Sequence, residues 1–186
     1  MSSQLHPPVS ERDHARGPAT APVTLVEYGD YECPHCARAH PIVERVRAQL
    51  GDRLRFVFRN FPLGEIHPHA VRAAEAAEAA GALGKFWPMH DTIYEHAQSG
   101  PHALDDAALL RYAGVVGVDA ESVREALESA TYEERVRADF MSGVRSGVNG
   151  TPTFFINGGR HDGPWDEESL LSALSAGRRA GMRNEE

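Results

Sequence analysis

The stretch YGDYECPHCARAHP, residues 28–41, holds both cysteines of the chain, Cys33 and Cys36, with two residues between them. Such a pair can bind a metal, form a structural staple, or carry electrons as a reversible disulfide. Its surroundings narrow the choice. Upstream, VTLVEYG (Val23–Gly29) is β-branched and apolar enough for a buried strand. Downstream, Pro34 suits the first turn of a helix, where its missing N–H has no partner to lose. Ile42, Val43 and Val46 continue at helical spacing to about Leu50, and Gly51 is a plausible stop. Pro41 inside that helix reads as a structural kink. LRFVFRN (Leu54–Asn60) alternates Leu54, Phe56 and Phe58 with arginines and reads as a second strand. The segment therefore predicts strand, helix, strand, a βαβ unit with a parallel pair.

Working outward, residues 1–20 are polar and carry Pro7, Pro8, Gly17 and Pro18, which predicts a mobile lead-in. Residues 67–84 form an alanine-rich helical pattern with a polar stripe of Arg72, Glu75 and Glu78. Further helices are expected over 86–96, from an N-cap at Asp105 to about Gly114, and from Asp119 onward. Tyr132, Val136, Phe140, Met141 and Val144 mark one face of another helix. Phe86, Trp87 and Tyr94 are expected in a helical core. Strand character returns at TPTFFING, residues 151–158, and NGG at 157–159 predicts a hairpin into a short strand near Arg160 and His161. A last helix is expected over 166–176. The predicted organisation is a lead-in (1–20), a core made of 21–64 and 148–180, an inserted all-helical block (65–147) and a short tail (181–186).

The 186 residues suit one core with an insertion, and a 41% hydrophobic content is enough to build it without staples. Two cysteines exclude a disulfide scaffold. A formal net charge of −8 with no basic run argues against nucleic-acid binding. No apolar run reads as a secretory signal or a membrane span, so the expected location is the cytoplasm, or the periplasm or exterior if a signal has been trimmed.

At the start of a helix, unpaired N–H groups and the positive dipole end favour an anion. Cys33 there is expected to be an exposed nucleophile held as thiolate, with Cys36 one turn deeper as the resolving thiol. His35, as a cation or N–H donor, would lower the Cys33 pKa further; cysteines in such settings span roughly 3.5 to 7.5. A pKa of about 4 in place of about 8.5 would stabilise the reduced form at pH 7 by roughly 4 kcal/mol. That would raise the reduction potential by about 90 mV. The alternatives stay open at this point. A metal would need two more ligands, from His67 and His69 for example, or a second copy of the pair across a dimer. His67 and His69 also read as ordinary surface or capping residues. A structural disulfide across so short a loop removes little chain entropy.

The elements VTLVEYGDYECPHC, Pro41, the helical insertion and GTPTFFING together resemble the DsbA-like branch of the thioredoxin superfamily, over about residues 12–177. The resemblance implies an α/β thioredoxin-like fold with an inserted helical subdomain, and Cys33 and Cys36 as the redox pair. It implies that Pro152 is a cis-proline facing the disulfide and that Thr151 and Pro34 border the substrate. The backbone of Thr151 would then pair with a substrate peptide. Glu27, six positions before Cys33, matches a buried acid that relays protons to the resolving cysteine, and Arg59 is a candidate basic partner for it. The expected activity is thiol–disulfide exchange on protein or peptide thiols, with no metal or organic cofactor. With no third cysteine, recycling requires an external redox partner. The rivals are a glutathione-linked or isomerase enzyme on the same fold, and a non-enzymatic redox-sensing binding module.

Overall fold

The computed structural model describes residues 4–183. Five strands form one mixed sheet in the order β1-β3-β2-β4-β5. They are β1 (His14–Arg16), β2 (Val23–Gly29), β3 (Leu54–Asn60), β4 (Thr153–Ile156) and β5 (Gly159–His161). β2 and β3 are buried at nearly every position, as expected for strands covered on both faces. Arg59, one of the alternating arginines of β3, is buried with the strand. Between these strands α1 (Pro34–Leu50) runs through Pro41 without ending there.

β4 and β5 form the hairpin foreseen from NGG. Asn157 and Gly158 have φ of 48° and 84°, the pair of positive values that a two-residue turn of matching twist requires. β4 pairs antiparallel with β2, placing Glu27 opposite Phe154 and Tyr28 opposite Thr153. The last helix, α7 (Glu167–Arg183), lies on β2 and β4 through Leu170 and Leu174. It is longer than the expected 166–176 and takes in the first residues of the expected tail; residues 184–186 lie outside the described residues.

The expected mobile lead-in is instead tied to the sheet from residue 4 onward. β1 pairs antiparallel with β3, His14 opposite Phe58 and Arg16 opposite Phe56. Gly17, at φ 89°, permits this approach, since a Cβ there would stand 2.1 Å from the Leu54 carbonyl oxygen. Leu5 is buried and donates its N–H to the Gly158 carbonyl at 2.8 Å. The His6 N–H reaches Ser146 Oγ at 2.8 Å. Polar composition concealed these contacts because they are made mostly by the backbone.

The chain separates into two compact units, and the division differs from the expected 65–147 insertion. One unit runs up to Gly29 and adds Arg38–Arg59 and everything from Ser142; it holds the sheet and α7. The other joins Asp30–Ala37 to Asn60–Met141 and is helical. Its elements are α2 (Ala70–Ala82), α3 (Phe86–His96), α4 (Asp106–Val115), α5 (Ala120–Glu128) and most of α6 (Glu133–Arg145). Alanine lets α2 approach α3, α4 and α5 closely, and its core face is almost all methyl groups. Asp105 and Asp119 cap α4 and α5, accepting from the N–H of Ala108 and Ser122 at 2.8 and 3.0 Å. Two expected patterns are corrected. Glu75 and Glu78 of the polar stripe are buried, and Met141 and Val144 of the apolar face are exposed while Val136 and Asp139 point inward. Among the described residues no helix is long and apolar enough to cross a membrane.

Candidate active site

In the helical unit, the cysteine pair occupies the junction where a turn becomes α1. The Cys33 carbonyl accepts from the Ala37 N–H at 3.0 Å, the first bond of α1, so Cys33 is the cap residue and Pro34 the first helical residue. The Cys33 N–H is bonded back to the Asp30 carbonyl at 3.1 Å. Cys33 is 4% exposed and Cys36 0%. The order of burial is the expected one, but Cys33 is not the exposed residue that its helix-end position suggested; Pro34 and His35 are the exposed members of the motif.

Several groups that sequence reading passed over surround this turn. Asp30 is fully buried, and its carboxylate accepts from the N–H of Glu32 at 2.8 Å, the N–H of Leu63 at 2.8 Å and His67 Nδ1 at 2.7 Å. Glu32 takes the His69 N–H at 2.6 Å and His69 Nδ1 at 3.0 Å. Thus His67 and His69, read as surface or capping residues or as possible metal ligands, each meet a carboxylate of the cysteine turn. Tyr31 is buried, with its hydroxyl 2.9 Å from Nδ1 of the buried His90. His90 is ringed by Tyr31, Phe86, Trp87 and Tyr94, with ring centroids 5.0–5.7 Å from its own. The expected helical core is therefore aromatic around a histidine. The D-x-E and H-P-H spacings were the visible signal for the first set, but nothing in the sequence pairs segments so far apart.

In the sheet unit, Glu27 is 3% exposed on β2. The Thr151–Pro152 peptide is cis and immediately precedes β4, whose pairing with β2 sets Glu27 opposite Phe154. Arg59 does not serve as the Glu27 partner foreseen for it. Its guanidinium donates to Asp13 at 2.7 and 3.0 Å, to the carbonyls of Pro7 and Pro8 at 3.0 and 3.2 Å, and to the Tyr28 hydroxyl at 2.9 Å. Burial alone would lower the Arg59 pKa, but the bonds it donates to Asp13 and Tyr28 hold it above the ordinary guanidinium range.

The thioredoxin family matches this chain over residues 9–176. Relatives include the Na(+)/H(+) antiporter NhaA 1 of Mycolicibacterium vanbaalenii, 45% identical over 177 residues that cover 94% of this chain and 28% of that protein. NhaA 3 of Salinispora tropica is 45% identical over 176 residues, 94% of this chain and 26% of that protein. The chain thus spans little more than a quarter of the length of these relatives. Among solved structures, oxidised BdbD from Bacillus subtilis superposes with a TM-score of 0.83 at 23% identity, covering 96% of this chain and 97% of that one. A thioredoxin-like oxidoreductase from Silicibacter pomeroyi gives 0.79 at 27% identity, covering 91% and 94%. α-DsbA1 from Wolbachia pipientis gives 0.81 at 18% identity, covering 98% of both chains. The chain belongs to the thioredoxin family and has the DsbA-like fold.

Proposed function

We propose that the chain is a thiol–disulfide oxidoreductase acting on protein or peptide thiols through Cys33 and Cys36. The observation that carries this reading is a cysteine pair capping a helix at a strand-to-helix junction, with burial increasing from the first sulfur to the second. The positive end of that helix favours a thiolate on Cys33. In the reducing direction this thiolate attacks a substrate disulfide, forming a mixed disulfide and releasing one substrate thiolate. Cys36 then loses its proton and attacks the Cys33 sulfur, which releases the second substrate thiolate and leaves a Cys33–Cys36 disulfide. Two electrons pass to the substrate, and the reverse sequence oxidises a substrate dithiol.

In this scheme His35, exposed beside the pair, supports the thiolate, and Glu27 takes up or returns the Cys36 proton. Burial of Glu27 on β2 supports that role. Thr151 and Pro152, at the start of β4, offer backbone to an extended substrate segment, with Pro34 on the exposed rim of the pair. An external reductant or oxidant of the dithiol–disulfide class resets the pair. The stretch shared with the antiporter relatives spans 94% of this chain, so what they have in common with it is this redox-type domain.

The test is insulin reduction and dithiol-peptide oxidation by wild type, Cys33→Ser and Cys36→Ser. Cys33→Ser should abolish both activities, and Cys36→Ser should accumulate a covalent mixed disulfide. Activity that survives Cys33→Ser would defeat the reading.

A further inference from the structure

We propose that Asp30–His67 and Glu32–His69 form a two-point clamp that positions the turn carrying Cys33 and sets the reduction potential of the cysteine pair. The inference rests on the thiol–disulfide reading above, and all four residues lie in the helical unit. Asp30 and Glu32 are two positions apart, as are His67 and His69, so both pairs close in one register, each spanning 37 positions of chain.

One jaw is the turn itself. Asp30 closes it twice, its carboxylate taking the Glu32 N–H at 2.8 Å and its carbonyl the Cys33 N–H at 3.1 Å. These two bonds fix the backbone of Tyr31 and Glu32 and therefore the point from which Cys33 enters α1. The other jaw is the loop leading into α2. Its Leu63 carbonyl accepts from the N–H of both Ile66 and His67, at 3.0 and 2.9 Å, and Leu63 gives its own N–H to Asp30 at 2.8 Å. Pro68, between the histidines, restricts its own φ and disfavours helical backbone at His67. Because a carboxylate oxygen accepts, the ring nitrogen facing it, Nδ1, is the donor in each histidine. Asp30, fully buried, then receives three N–H groups and has no solvent to replace any of them.

The two redox forms depend on this clamp unequally. In the disulfide form the S–S bond ties Cys33 to Cys36 and holds the turn by itself. In the dithiol form only the hydrogen bonds hold Cys33 at the cap position, where the helix N–H groups stabilise its thiolate. Weakening the clamp therefore destabilises the dithiol more than the disulfide and makes the protein a weaker oxidant. The four residues are positioning residues, acting through the turn rather than on the substrate.

The experiment equilibrates the full chain with graded ratios of reduced and oxidised glutathione and counts the Cys33–Cys36 disulfide by alkylation and mass. His67→Leu, which removes the donor, should shift the equilibrium constant about tenfold toward the disulfide form, equivalent to about 30 mV. His67→Asn keeps an N–H near the Nδ1 position and should restore the midpoint to within about twofold. Glu32→Gln, on the half-exposed outer pair, should shift in the same direction by less. An unmoved midpoint in His67→Leu, or equal displacement in His67→Asn and His67→Leu, overturns the proposal. Should His67→Leu fail to fold, Glu32→Gln decides: a shift supports the clamp and an unmoved midpoint overturns it. A wild-type chain that never exchanges with glutathione defeats the redox reading itself and the clamp's role with it, and that result is visible without any variant.

Discussion

Arg59 and Asn60 are neighbours at the end of β3, yet they enter two buried clusters of opposite character. Arg59 is a cation surrounded by acceptors: Asp13, Tyr28 and two proline carbonyls. Asn60 enters a cluster dominated by acids. Its backbone N–H goes to Asp139 at 3.0 Å and its side-chain amide to Glu78 at 2.8 Å and Asp139 at 3.3 Å, while Arg135 also bonds Asp139. Burial pushes the Asp139 carboxyl above its ordinary range despite the opposing Arg135. The sheet unit thus holds a cage whose cation stays charged at any ordinary pH, and the helical unit a cluster whose acid resists ionisation.

The contrast can be broken hardest at Arg59. Arg59→Met leaves the buried Asp13 carboxylate without its donor, and should cost about 3–5 kcal/mol in urea unfolding. A loss below about 1 kcal/mol would mean that water replaces the guanidinium and the cage is not sealed. Next comes Asn60→Ala, which removes the amide joining Glu78 and Asp139 and should cost about 1–3 kcal/mol. The pH dependence sharpens the difference further. Asp139 has a raised folded pKa, so the folded state binds the extra proton and stability falls as pH rises from about 4 through that raised value. Asp139→Asn should flatten this slope in unfolding curves taken between acid and neutral pH; an identical slope would remove Asp139 as its source. The smallest effect is expected at the surface pair of Arg72 and Asp106, 2.6 Å apart. Arg72 holds the Asp106 carboxyl below its usual range, so this contribution has the opposite sign, present at neutral pH and lost on acidification. Arg72→Ala should cost about 0.5–1 kcal/mol at pH 7 and less below about pH 4.

The sheet elements were legible because apolar runs, proline and glycine act locally. VTLVEYG, the Pro34 helix start and the Asn157–Gly158 turn all stand where the pattern put them. So were the aspartate caps of α4 and α5. What escaped was made by distant partners. The segment up to Asp13 reads as a polar tail, and its order comes from distant partners: Gly158 for Leu5, Ser146 for His6 and Arg59 for Asp13. Glu75 and Glu78 read as a polar stripe, yet both are buried. Of the candidate site, the cysteines were visible from their motif, Pro152 and Glu27 only through the family resemblance, Asp30 and Glu32 only as a spacing that names no partner, and His90 not at all. A buried polar group declares itself only through its partner, and a linear pattern does not name partners.

The chain carries two thiols and no others. A maleimide or iodoacetamide tag, without any engineering, therefore reports on one turn of one helix. The graded burial of the two sulfurs makes that report directional: Cys33 should take the label first, and Cys36 should follow only as the helix end opens. The rate of the second labelling step is thus a built-in gauge of local breathing, and the protein can be titrated, trapped and timed through its own side chains.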